Sequence, residues 1–148
     1  MTRSLLRAAL CSAFSLFSLV SVMSACGLPS IGNKTGDCAA GESCGCPSIG
    51  NCVLNCAGAG CKFTCDGINN CTFTCPGGGC TLDVNAQANA TLTCEGGGCK
   101  MTSAGTGNSR LSCPGNNCSL TCKNTGTCQL ESCQTGCSLM CQGTGICK

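Results

Sequence analysis

Residues 61–80 read CKFTCDGINNCTFTCPGGGC. They hold two five-residue units of the form Cys-x-apolar-x-Cys, at 61–65 and 71–75, each followed by turn-forming residues. The unit recurs as CVLNC at 52–56, CSLTC at 118–122 and CSLMC at 137–141. Worn copies fill the gaps: CTLDV from Cys80, ATLTC from Ala90, CKMTS from Cys99, SRLSC from Ser109 and CQLES from Cys128. The starts form two series. One runs Cys52, Cys71, Ala90, Ser109, Cys128 and Cys147; the other runs Cys61, Cys80, Cys99, Cys118 and Cys137. Every step within a series is 19 residues. A fixed period of this size marks a repeat architecture.

Alternate side chains of a strand point to opposite sides. Each unit therefore turns Cys, apolar, Cys inward. The inward apolar residues are Leu54, Phe63, Phe73, Leu82, Leu92, Met101, Leu111, Leu120, Leu130 and Leu139. The outward ones are mostly Thr, Ser, Lys, Asn and Gln. One coil then holds two strands, a four-residue turn and a five-residue turn. The turns are rich in glycine and asparagine, which tolerate the positive φ of tight corners. The pattern predicts an all-β fold: a disulfide-stapled two-sheet parallel β-solenoid with 19-residue coils. No helical stripe is present. The chain divides into residues 1–25, residues 26–45 as tether and degenerate cap, and residues 46–148 as the solenoid. PSIGN occurs at 29–33 and again at 47–51, so a worn coil is expected to start in the cap. The last unit breaks off at Cys147-Lys148 as a strand begins, and Lys148 is expected to discourage stacking on that edge.

Of the 22 cysteines, all but Cys11 and Cys26 lie downstream of Cys26, leaving twenty. In a flat coil the last inward position of one strand faces the first of the next, across the turn. Two such pairs lack cysteine at both ends together: Val84 with Ala90, and Ser103 with Ser109. Joint loss is what a disulfide between those positions requires. Pairing along a column fails on parity, because the Cys61 series has five members. The expected bridges are Cys38–Cys44, Cys46–Cys52, Cys56–Cys61, Cys65–Cys71, Cys75–Cys80, Cys94–Cys99, Cys113–Cys118, Cys122–Cys128, Cys133–Cys137 and Cys141–Cys147. Ser132 occupies the regular slot before Cys133, so a bulge is expected there.

Residues 1–25 read as an export signal: Arg3 and Arg7 are followed by an apolar stretch over 8–23, too short for a comfortable membrane span. Export places the remaining chain where disulfides persist. Met23-Ser24-Ala25-Cys26 resembles the lipobox of bacterial lipoproteins, in which the cysteine is lipidated and becomes the new N-terminus. The resemblance covers these four residues and the signal before them. It makes Cys26 the lipid-attachment residue, and Gly27 after it implies outer-membrane sorting in a double-membraned bacterium. Parity agrees: twenty cysteines can pair among themselves and Cys26 is the odd one.

Without the signal, six basic residues (Lys34, Lys62, Lys100, Arg110, Lys123, Lys148) balance six acidic ones (Asp37, Glu42, Asp66, Asp83, Glu95, Glu131). Phosphate-driven nucleic-acid binding needs a basic patch, so no nucleic-acid partner is expected. There is no histidine, so histidine triads and histidine-liganded metals are excluded. Acidic residues recur singly, with Asp83 and Glu131 on different sheets, and no acid–base or nucleophile–base pair stands out. The glycine turns are followed by neither Lys-Ser/Thr nor a helix, so they are not phosphate loops. No enzyme activity and no cofactor are expected.

The reading that fits best is a surface-anchored structural or interaction lipoprotein of the bacterial envelope. It would touch the membrane through its N-terminal lipid and a protein or surface ligand through the solenoid. A first alternative is a secreted flat-face binder of ice, mineral or glycan. Thr72 and Thr74 point outward, and Thr91 and Thr93 are expected one coil on. This resembles the Thr-x-Thr face of disulfide-stapled insect antifreeze solenoids, but Val53 and Asn55 flank it on one side and Arg110 and Ser112 on the other. A second alternative is thiolate metal binding, similar to metallothionein-like chains, with softness selecting copper(I) or zinc. Cys-x-Cys occurs only at Cys44-Gly45-Cys46 and export favours oxidation, so no metal site is assigned.

One apolar side chain per strand, contributing about 1.5–3 kcal/mol, does not offset the ordering of the strand and its turn. Bridges closing loops this short add about 2 kcal/mol each in the chain-entropy model. Full reduction is therefore expected to abolish the far-UV circular dichroism of the sheets; a sheet spectrum that survives reduction contradicts this.

Overall fold

The computed structural model describes residues 31–87 and 89–148. The expected export signal at residues 1–25 and the expected lipid-attachment residue Cys26 lie outside the described residues. The strands are β1 (Lys34–Cys38), β2 (Ser43–Gly45), β3 (Ile49–Cys56), β4 (Lys62–Cys75), β5 (Thr81–Ala86), β6 (Ala90–Cys94), β7 (Lys100–Ser103), β8 (Ser109–Ser112), β9 (Ser119–Cys122), β10 (Thr127–Glu131), β11 (Ser138–Cys141) and β12 (Ile146–Cys147). Every pairing between them is parallel.

The strands form two faces. One stacks β1, β3, the second half of β4, β6, β8, β10 and β12. The other stacks β2, the first half of β4, β5, β7, β9 and β11. The molecule is a two-sheet parallel β-solenoid, and the coil repeat appears directly in the register, as in Cys71↔Ala90 and Lys62↔Thr81. The β1–β3 pair is one residue short, with Lys34 opposite Cys52. The first coil has a three-residue corner after Cys38 where later coils have four.

That shortening explains an irregular bridge. Cys44 stands in register with Phe63, in the apolar column, instead of with Cys61. Cys38 nevertheless bridges to Cys44. Residues read as tether and cap thus join the stack from Ile31, which pairs with Ile49. A similar offset occurs near the other end. Ser132 takes φ 59°, which displaces Cys133 by one place while its bridge to Cys137 still closes.

The core is a single inward column from each face. Leu54, Phe63, Phe73, Leu82, Leu92, Met101, Leu111 and Leu120 are buried. Phe63 and Phe73 stack across it with ring centroids 4.6 Å apart. Leu130 and Leu139, expected to be inward, are only partly buried. Leu139 on β11 has one neighbouring strand, β9, and the strand beyond Leu130 is only Ile146–Cys147.

The corners are more ordered than a turn reading implies. β4 runs unbroken through residues 66–70, which the sequence assigns to a turn. Its corner residues stay in parallel register with both neighbours, as in Asn70 with Asn51 and Asp66 with Asn85. Stacking satisfies backbone groups that a free loop would expose. It also leaves little room for a side chain at the middle positions of the four-residue corners. A Cβ on Gly96 would meet the backbone of Gly77 at 2.5 Å. Gly97 adds a φ of 75°, and Asn116 and Asn117 take the matching positive φ one coil on.

Two inward corner pairs lack sulfur and are filled differently. Val84 and Ala90 make an apolar plug. Ser103 and Ser109 are buried and share a hydrogen bond of 2.7 Å between their hydroxyls. Removing one partner strands the other, whereas replacing both removes the polar demand. Ser103→Ala is expected to cost about 1–3 kcal/mol, while the double variant S103V/S109A, which copies the coil below, is expected to be close to neutral. Thermal unfolding of the three proteins checks this; additive losses would show that the hydroxyl pair does not act as a unit.

Candidate functional site

All twenty cysteines of the described region are bridged, each across a corner. Their Cα–Cα distances run from 5.7 to 6.4 Å, within the range a disulfide accepts. A bridged sulfur is not the thiolate that attacks or that binds soft metals. In this state the cysteines staple, and chemistry with a ligand falls to the outward side chains.

The structure brings the four threonines together. Thr72 pairs with Thr91 and Thr74 with Thr93, giving a two-by-two patch on one face. The rows continue into Val53 and Asn55 on one side and Arg110 and Ser112 on the other. Not all hydroxyls are idle: Thr74 Oγ1 donates to Asn55 Oδ1 at 2.7 Å, and Asn55 Nδ2 donates to Asp37 Oδ1 at 3.1 Å. The patch is part of a polar column, and Arg110 beyond it faces Glu131 at 3.7 Å.

The opposite face has a comparable set that the sequence reading passed over. One of its rows runs Thr64, Asp83, Thr102, Thr121 and Met140. The other runs Lys62, Thr81, Lys100, Ser119 and Ser138. The signal was present, because these are the x positions of the Cys61 series. Asp83 lies on this face and Glu131 on the other, so the two carboxylates do not converge.

A second feature missed in sequence is an asparagine ladder at the five-residue corners. Asn33, Asn51, Asn70, Asn89 and Asn108 follow one another coil by coil. Asn33 Oδ1 accepts from Asn51 N at 3.0 Å, Asn89 Oδ1 from Asn108 N at 3.1 Å, and Asn108 Oδ1 from Thr127 N at 2.9 Å. Each sits just before the first inward position of its unit, so the repeat period was the available clue. Beside the ladder lies an open groove of about 370 Å³, lined by Asn89, Thr91, Asn108, Arg110, Thr127 and Gln129. Near the start of the stack, Ile31, Ile49 and Ile68 form an exposed apolar column.

Two further asparagines turn inward. Asn69 donates to Pro47 O at 2.6 Å and Asp66 O at 2.9 Å, and Asn124 donates to Gly107 O at 3.0 Å. Among the described residues, no buried side-chain nitrogen or oxygen lacks a partner. These interior amides serve the corners and are not available to a ligand.

The molecule belongs to the class of disulfide-stapled parallel β-solenoids. Comparison with protein families, curated proteins and solved structures returned no match. Asn108→Ala removes the acceptor for Thr127 N–H while leaving the backbone stack in place. The expected result is faster amide exchange at Thr127 and a stability loss of about 0.5–1.5 kcal/mol; unchanged exchange at Thr127 would deny the ladder a stabilising part.

Proposed function

We propose that this chain is a surface-anchored structural or interaction lipoprotein of a bacterial envelope. The observation that carries the reading is the closed set of ten bridges. The twenty described cysteines consume one another, so none of them is left as a partner for Cys26, which follows Met23-Ser24-Ala25. A disulfide density of this kind belongs to exported, oxidising compartments. Lipid on Cys26 would explain both its place after a signal-like segment and its exclusion from the staples. The chain reaches the first coil five residues later, at Ile31.

What the anchor carries is a narrow stapled rod. Seven stacked strands on one face, about 4.8 Å apart, make it roughly 29 Å long. Its two broad faces carry hydroxyl, amide and balanced charged side chains. Such a body suits spacing and contact more than chemistry. The exposed Ile31, Ile49 and Ile68 column, in the coils nearest Cys26 along the chain, supports a contact surface at the anchored end.

Mass spectrometry of the mature N-terminus tests the reading. The expected product begins at Cys26 and carries a thioether-linked diacylglycerol, partitions into detergent, and loses both properties in Cys26→Ala. A mature chain with an unmodified N-terminus that stays in the aqueous phase would overturn the anchor.

A further inference from the structure

The two edges of the solenoid stack their bridges differently. Along the edge of four-residue corners, bridges Cys56–Cys61, Cys75–Cys80, Cys94–Cys99, Cys113–Cys118 and Cys133–Cys137 follow one another without interruption. Neighbouring bridges are close. Cys56 Sγ lies within 4.8 Å of both sulfurs of Cys75–Cys80, and the same holds for Cys75 with Cys94–Cys99, Cys94 with Cys113–Cys118 and Cys113 with Cys133–Cys137. No such trio occurs along the other edge among the described residues. That edge is also broken for two coils, where Val84–Ala90 and Ser103–Ser109 replace sulfur. Within this run of five, the Cys133–Cys137 bridge alone is partly exposed and the other four are buried; Cys38–Cys44, below them on the same edge and partly exposed at Cys44, forms no such trio with Cys56–Cys61.

We propose that this column is a thiol–disulfide relay, which moves a dithiol from coil to coil between its buried bridges and the accessible bridge Cys133–Cys137. The steps balance within the protein once an external thiol or phosphine reductant has opened one bridge. Suppose Cys133 and Cys137 are the thiols. Loss of a proton makes the Cys137 thiolate, toward which the backbone N–H of Cys118 already points at 3.1 Å. That contact favours the charged sulfur. The thiolate attacks Cys113 Sγ, forming Cys137–Cys113. The Cys113–Cys118 bond breaks, and its electron pair leaves on Cys118, which takes up a proton. Cys133, as thiolate, then attacks Cys137 Sγ. The Cys133–Cys137 bond re-forms, and Cys113 departs with the electron pair and takes up a proton. Two electrons and two protons have moved one coil, and the number of disulfides is unchanged. The next step is the same reaction one coil down, at Cys94.

Exchange of this kind needs a thiolate with access to a disulfide sulfur, and its rate follows the nucleophile, the leaving thiol and which sulfur is attacked. Disulfide rearrangement without a catalyst runs on the order of minutes to hours, which sets the pace of the relay. The reverse direction gives it a use. A bridge left open in the interior, where no oxidant reaches, can be closed by passing its dithiol outward to Cys133 and Cys137, where an exported oxidant can act.

The test uses the full, oxidised chain at low concentration. A substoichiometric amount of a water-soluble phosphine at about pH 3, where thiolate is suppressed, opens accessible bridges without exchange. The sample is shifted to about pH 8, quenched with acid after set times, alkylated and mapped by mass spectrometry. The expected result is label that begins on Cys133 and Cys137 and then appears on Cys113 and Cys118, then on Cys94 and Cys99. Dithiols opened at Cys141–Cys147, on the other edge of the same region, should pass to Cys122–Cys128 at least about tenfold more slowly. In C113V/C118A, which copies Val84 and Ala90, label should stop at Cys133 and Cys137. The comparison of edges in the unmodified protein stands even if that variant folds poorly. Label that stays on Cys133 and Cys137 at the higher pH, that spreads equally along both edges, or that spreads faster as protein concentration rises would overturn the relay.

Discussion

At each corner of the coil an inward side chain at the end of one strand meets an inward side chain at the start of the next, and the contact between them holds the turn closed. The chain uses three chemistries for this one slot. Ten corners use a disulfide. One uses Val84 against Ala90, and one uses the Ser103–Ser109 hydrogen bond. What they share is that both members change together. A lone cysteine, a lone hydroxyl or a void in this slot would each be a buried defect. With a single apolar side chain per strand, there is no second layer to absorb it.

The other axis of the structure is held by backbone. Coils stack in parallel through the strands and through the corners, and the demand for close stacking decides what the corners contain. At the middle positions of the four-residue corners from Gly77 to Asn116, backbone of one coil lies so near the next that glycine, or asparagine at positive φ, is used. At the five-residue corners, asparagine carboxamides extend the ladder by accepting backbone N–H groups from the next coil. The two edges therefore differ in kind. One brings sulfurs of neighbouring coils together, and the other is tied by amides.

This division bears on function. Interior groups are consumed by stapling and by corner satisfaction, and the faces carry short hydroxyl and amide side chains in register. A surface of this sort presents a regular array, which is why the proposed role is contact and spacing from an anchor. The stack of bridges along one edge adds a reactivity that comes from repetition: a sulfur is a structural element within its own coil and a potential leaving group for the next.

Much of the architecture was legible in the chain. The 19-residue period defines the coil, and strand alternation assigns Cys and Leu or Phe inward, because both follow from local geometry repeated without change. The outward threonine patch was legible for the same reason, while the equal set on the other face and the asparagine column went unread although they obey the same period. Of the departures from the period, the bulge before Cys133 was legible in the displaced cysteine, and the structure adds the left-handed φ of Ser132; the others needed the structure. The missing residue in the first corner, which places Cys44 in the column of Phe63, is an adjustment between coils. So are the continuation of β4 through its corner and the sulfur trios that, among the described residues, lie along one edge. Sequence alone determines what each coil is made of, since that depends on neighbours along the chain. Only the tertiary structure decides how one coil sits on the next, because that spacing depends on corner backbones that are 19 residues apart and meet only in the folded stack.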